Sequence, residues 1–159
     1  MRKMDADGFA LCKLQADAFE ASADYMPGSS AIFVRRFMYS RVAESLDRGL
    51  SPFDDCSAGD LLQGVFDEYA KPPTGSVKMG REQLHWMGYL YRYWAYRYEM
   101  PSSKIYKLVN GKELNVLFYS YHTLDIESAI ERIAESKNID LSEDQISRGV
   151  RILRKIRAA

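Results

Sequence analysis

Apolar residues recur along most of this chain at intervals of three and four positions, the spacing that places them on one face of an α-helix. The first such pattern covers residues 6–24 and stops at Met26-Pro27-Gly28, because proline and the residue before it resist helical geometry. A second predicted helix begins at Ser29 or Ser30 and ends at Gly49. No run combines strand alternation with the turn residues of a hairpin. The pattern therefore predicts an all-α fold.

A proline-rich segment divides the predicted helices into two groups. Before it, the variant capping box Ser57–Asp60 begins a helix that continues through Tyr69. Residues 71–78 then form a linker, with Pro72, Pro73 and Gly75 inside it. We therefore expect one domain, in which acidic helices of residues 1–70 precede an aromatic and basic core of residues 79–159.

The second group opens with a helix over residues 81–99, which Met100-Pro101 interrupts. Shorter helices are predicted on either side of the turn at Asn110-Gly111, and a final helix is predicted close to the end of the chain. The expected N-terminal or capping residues of these helices are Ser102, Lys112, Thr123 or Asp125, and Ser142. The complete pattern predicts a single compact bundle of about seven helices with an N-terminal helical arm.

The helix over residues 81–99 is exceptionally aromatic, with five tyrosines, two tryptophans and two arginines between Leu84 and Tyr98. At 100° per residue, one side of it forms the predicted core stripe, consisting of Leu84, Met87, Gly88, Tyr91, Trp94, Ala95 and Tyr98. Trp86, Tyr89, Tyr93, Tyr96 and Arg97 then face elsewhere. Because tyrosine, tryptophan and arginine concentrate at binding interfaces, we expect Tyr93, Tyr96 and Arg97 to contact a partner.

Charge is distributed unevenly although the net charge is zero. Residues 1–70 carry seven basic and twelve acidic side chains, whereas residues 71–110 carry seven basic and two acidic ones. Such asymmetry bears on partners and not on the fold. The basic block could pair with the acidic arm, or it could face an acidic partner or nucleic acid.

Two further groups of basic residues have open interpretations. Arg35 and Arg36 lie beside Phe33 and Phe37, so they either pair with the acidic arm or act as partner-binding anchors. Near the C-terminus, one face of the last predicted helix carries a basic triplet, namely Arg148, Arg151 and Lys155. This triplet is either a solvated face or a contact for nucleic acid.

No catalytic signature is present, and we expect neither enzymatic activity nor a cofactor. His85 and His122 are the only histidines, and neither lies at a ligand-like spacing from other ligands, so no metal site is predicted. The alternative for His122, as a general base with Tyr121 and Asp125, is weaker than a role in capping the following helix. Two widely spaced cysteines and the absence of a signal-like or membrane-spanning segment predict a cytoplasmic protein with reduced thiols.

Six short sequence segments together resemble a family of small bacterial all-helical proteins. They are Ser30–Met38, Tyr89–Trp94, Ser103–Lys107, Glu113-Leu114, Tyr121–Asp125 and Ala129–Ile133. The resemblance covers residues 29–135 and departs from the family at Asn110-Gly111 and Ile126, where prolines are expected. Genes of this family tend to lie beside genes for ADP-ribosyltransferase-like toxins. The resemblance therefore implies the antitoxin component of a toxin–antitoxin system.

These observations predict a non-catalytic antitoxin that neutralises a co-encoded toxin by protein–protein contact. The expected partner-binding residues are Arg35, Arg36, Tyr93, Tyr96 and Arg97. The alternative function is regulation of its own operon, with the C-terminal basic helix bound to operator DNA. The sequence leaves open whether the protein is a homodimer and what residues 1–28 do.

Overall fold

The computed structural model describes residues 1–49, 55–142, 153–154 and 156–158. Within those residues, every element of regular secondary structure is a helix, and the fold is all-α. Eight helices of seven residues or more pack into a bundle: α1 (Ala6–Tyr25), α2 (Ser30–Met38), α3 (Arg41–Asp47), α4 (Ala58–Glu68), α5 (Arg81–Arg97), α6 (Ser102–Leu108), α7 (Gly111–Tyr121) and α8 (Ile126–Ser136).

Side-chain caps fix most of the helix starts. The Asp5 carboxylate accepts from the backbone N–H of Gly8 at the start of α1, and Ser57 and Asp60 form the predicted capping box of α4. Asn110 and Asp125 cap α7 and α8 in the same way. The sequence predicted the box at Ser57 and offered Asp125 as one of two starts for α8, whereas it did not predict the caps at Asp5 and Asn110.

The second predicted helix is wrong as a single element. The chain breaks at Ser40, whose hydroxyl accepts from the N–H of Ala43 at 3.1 Å and donates to the carbonyl of Phe37 at 2.6 Å. One serine thus caps the start of α3 and satisfies a carbonyl at the end of α2. The break separates Arg41 from Arg35 and Arg36, which the sequence had placed on one helix.

Helix α5 is central to the bundle and packs against α1, α6, α7 and α8. Its closest neighbour is α1, and Gly88 permits this approach. A Cβ atom at Gly88 would lie 2.8 Å from both the carbonyl oxygen of Gln15 and the ring of Phe19. The predicted core stripe is confirmed from Leu84 to Ala95, whereas Tyr98 is half-buried.

A buried polar network joins four helices around Arg92, which is 1% exposed. Its guanidinium donates to Gln15 of α1 at 2.7 Å, to Asp47 of α3 at 2.6 Å and to Ser102 of α6 at 3.1 Å. Ser102 is the first residue of α6 and makes no cap hydrogen bond, contrary to the sequence prediction. Its N–H and hydroxyl instead both donate to Asp47.

The proline-rich segment is held against the turn between α1 and α2. The N–H groups of Ser29 and Ser30 donate to the carbonyls of Thr74 and Val77, both at 3.0 Å. Helices from both sides of this segment contribute to one continuous hydrophobic core. Across the described part of the chain, no helix combines the length and the apolar composition that crossing a membrane requires.

Candidate functional site

The second side of α5 is more buried than its sequence pattern indicated. Trp86 is 8% exposed and Tyr93 is 9% exposed, so both belong to the core. Burial is also the main cause that raises the pKa of the Tyr93 phenol. Because four helices pack against α5, its additional aromatic side chains fill the bundle interior at these positions. Trp86 and Tyr93, which the sequence pattern placed away from the core stripe, therefore lie in the core.

Tyr96 and Arg97 hold the N-terminal segment against the end of α5. The Tyr96 hydroxyl donates to Asp5 at 2.8 Å, and the Arg2 guanidinium lies 4.5 Å from the centre of the Tyr96 ring. Arg97 forms an ion pair with Glu127 at 2.9 Å and donates to the carbonyl of Arg2 at 3.0 Å. Both predicted anchors therefore have intramolecular partners.

Arg35 and Arg36 are placed differently, on the outer side of α2. Arg35 is exposed, and the Arg36 guanidinium lies 4.9 Å from the centre of the Tyr69 ring. Neither arginine forms an ion pair with a carboxylate within the ranges that the structure covers. Pairing with the acidic arm, which the sequence left open, is thus not found among those residues.

Three aromatic residues from separate elements surround these arginines. The Tyr69 hydroxyl donates to the carbonyl of Arg36 at 2.9 Å, and the rings of Tyr39 and Tyr106 meet edge to face at 5.5 Å. Burial raises the pKa of Tyr69 and Tyr106, and the positive charge of Arg35 opposes that rise at both phenols. We call Arg35, Arg36, Tyr39, Tyr69 and Tyr106 the α2 surface.

A groove of about 420 Å³ borders the α2 surface. Its wall is mainly apolar, and residues that line it include Phe33, Arg36, Phe66, Tyr69, Pro72 and Pro73. Phe66 is 53% exposed although it is a large apolar side chain. An arginine on an aromatic ring, beside an open apolar groove, can bind an acidic side chain and bury a neighbouring apolar one.

His122 has a structural position at the C-terminal end of α7. Its Nδ1 lies 2.7 Å from the carbonyl oxygen of Phe118, and its ring stacks on the Phe118 ring at 4.3 Å. Asp125 accepts from the N–H and hydroxyl of Ser128 and caps α8. His122 thus completes the preceding helix, whereas the sequence interpretation had it cap the following one.

The basic triplet Arg148, Arg151 and Lys155 lies outside the described residues, so its predicted contact with DNA stays a prediction. The sequence pattern did not indicate Tyr39, Tyr69 and Tyr106 as neighbours of Arg35 and Arg36. Tyr69 follows α4 and Tyr106 lies on α6, and no short-range pattern brings those elements to α2. The local signals were the Arg35-Arg36 pair between phenylalanines and Tyr39, which lies only three positions after Arg36. Comparison with models of protein families, with curated proteins and with solved structures finds no match.

Proposed function

We propose that the protein is a non-catalytic binding protein, the antitoxin of a bacterial toxin–antitoxin system, which neutralises a co-encoded toxin through the α2 surface. One observation carries the assignment of the surface. Arg35 and Arg36 stand among three tyrosines: Tyr39 ends α2 itself, whereas Tyr69 follows α4 and Tyr106 lies on α6. Neither arginine forms an ion pair within the described ranges. The resemblance of residues 29–135 to the antitoxin-like family supports the proposal that the partner is a toxin.

The chemistry of the α2 surface defines what the toxin must offer. Arginine and tyrosine are enriched among the residues that dominate binding energy, because they combine large contact area with polar groups. Arg35 supplies an exposed guanidinium for a carboxylate, and Tyr39 supplies a ring that is 42% exposed. The adjoining groove can receive an apolar side chain from the same partner segment. We therefore infer a toxin segment that carries an acidic residue next to an apolar one.

Two experiments test this proposal. The protein is co-expressed with the product of the neighbouring gene, and affinity purification from those cells should yield both chains. Expression of the neighbouring gene alone should inhibit growth, and co-expression of this protein should restore growth. Absence of both co-purification and growth rescue would overturn the antitoxin assignment.

A further inference from the structure

Two carboxylates of α1 face the only histidine of α5. Asp17 and Glu20 are three positions apart and therefore share one side of α1. The Nδ1 atom of His85 lies 3.4 Å from Oε2 of Glu20 and 3.9 Å from Oδ1 of Asp17. One nitrogen and two carboxylate oxygens, all within 4.8 Å of one another, thus meet at the contact between the two helices.

These separations fit the coordination shell of one metal ion. Zinc binds imidazole nitrogen and carboxylate oxygen at about 2.0–2.2 Å, so two ligands of a tetrahedral ion stand roughly 3.3 Å apart. The observed 3.4 Å and 3.9 Å need only small side-chain movements to reach that value, and the carboxylate oxygens of Asp17 and Glu20 lie within 4.8 Å of each other. Lys13 forms its ion pair with Oδ2 of Asp17, at 3.2 Å, and this contact leaves the Oδ1 atom on the side of His85.

An open groove adjoins this cluster. It has a volume of about 500 Å³ and is lined by Glu20, Glu82, His85, Trp86, Tyr89 and Ile126. Trp86 is 8% exposed, and its indole N–H has no hydrogen-bond acceptor among the described residues. Glu82 in the wall of the groove adds a third carboxylate, and its negative charge favours a cation.

We propose that Asp17, Glu20 and His85 form a binding site for a divalent transition-metal ion of the zinc type. The three side chains supply two oxygens and one imidazole nitrogen, and the remaining coordination position opens to the groove. Such an ion would join α1 to α5, the two helices of the closest contact in the bundle. The site involves no residue of the α2 surface, so it stands independently of the antitoxin assignment.

Calorimetric titration of the full chain with zinc chloride tests this site. We expect one ion per chain, and substitution of His85→Gln or Glu20→Gln should weaken the affinity by about tenfold or more. His122→Gln is the matched control, because His122 is an exposed histidine outside the cluster, and it should leave the affinity unchanged. Circular dichroism shows whether each variant keeps its helical content, so that weaker zinc binding by a folded variant can be assigned to the missing ligand side chain.

Two further readouts make the result decisive. Cobalt(II) bound in place of zinc should give the intense visible absorption of a four-coordinate ion, and His85→Gln should abolish it. Zinc should also raise the thermal unfolding midpoint of the native chain, because it binds the folded state. Absence of zinc binding, or equal loss of affinity in the His122 control, would overturn the proposal.

Discussion

The Arg92 guanidinium donates to the Asp47 carboxylate at 2.6 Å, and this pair joins the central helix α5 to α3 inside the bundle. Arg92 is almost fully enclosed, and the Asp47 side chain is 17% exposed. A buried charge without its partner is costly, because the interior cannot replace the lost hydration. The Arg92–Asp47 pair is therefore a point where one substitution disturbs several helices.

Removal of either partner should destabilise the protein strongly. We expect Asp47→Ala to lower the free energy of unfolding by about 3–5 kcal/mol, because Arg92 keeps its buried charge and loses its counterion. The exposed ion pair of Glu44 and Arg48 provides the control, and Glu44→Ala should cost at most about 0.5 kcal/mol. Urea denaturation measures the free energy of unfolding of both variants. Equal losses in Asp47→Ala and Glu44→Ala would contradict the importance of the buried Arg92 network.

The closeness of α1 and α5 depends on Gly88. A methyl group there would lie 2.8 Å from the backbone oxygen of Gln15, which cannot move without α1. Gly88→Ala should therefore destabilise the protein by about 1–3 kcal/mol. Gly59→Ala in α4 is the matched control, since its nearest neighbour would lie at 3.6 Å. Gly59→Ala should leave the thermal unfolding midpoint unchanged or raise it slightly. A larger loss of stability in Gly59→Ala than in Gly88→Ala would refute the packing argument.

The two cysteines should differ sharply in reactivity. Cys12 is fully buried, and burial raises the pKa of its thiol to about 12. Cys56 lies two positions before α4 and is only half-buried, although burial raises the pKa of its thiol as well. Because the thiolate is the reactive form, we expect one thiol per folded chain to react with a disulfide reagent and two after unfolding. Cys56→Ser should remove the reaction of the folded chain, and a fast reaction of that variant would contradict the burial of Cys12.

Stability should fall in acid because three helix caps are carboxylates. Hydrogen bonds from Gly8, Ser57 and Ser128 hold the pKa of Asp5, Asp60 and Asp125, respectively, below the ordinary value of 3.8. A group whose folded pKa is depressed stabilises the fold above its unfolded pKa. That contribution disappears as the pH falls through the folded pKa.

The urea midpoint should therefore decrease as the pH falls below about 4. The triple variant Asp5→Asn, Asp60→Asn, Asp125→Asn should show a smaller decrease, since asparagine caps a helix without titrating. Asp7→Asn, in the first turn of α1 but outside the cap, is the control and should retain the native pH profile. An unchanged profile in the triple variant would show that these caps do not cause the acid sensitivity.

Local signals in the sequence predicted the fold class and most helix ends. Three of these signals depend only on neighbours within about four positions, so sequence spacing is enough to predict them. They are the proline after Met26, the capping box at Ser57 and the core stripe of α5. The break at Ser40 was missed because serine also occurs inside helices, and its two hydrogen bonds become visible only in three dimensions.

Contacts between distant helices could not be predicted in this way. His85 meets Asp17 and Glu20 across more than sixty residues of chain, and the meeting depends on how α1 and α5 are rotated about their axes. The burial of Arg92 depends in the same way on Gln15 and Asp47. Periodicity identifies the apolar side of a helix, but it does not identify which polar residues of other helices will meet it.

The central claim is that the α2 surface binds the toxin, and one charge reversal tests it most directly. The affinity of the purified neighbouring gene product is measured for the native chain, for Arg35→Glu and for Arg132→Glu, which makes the same charge change at an exposed position of α8. We predict that Arg35→Glu weakens binding about 30-fold or more, whereas Arg132→Glu changes it by less than about threefold. Equal affinities of the two variants would contradict the assignment of the α2 surface.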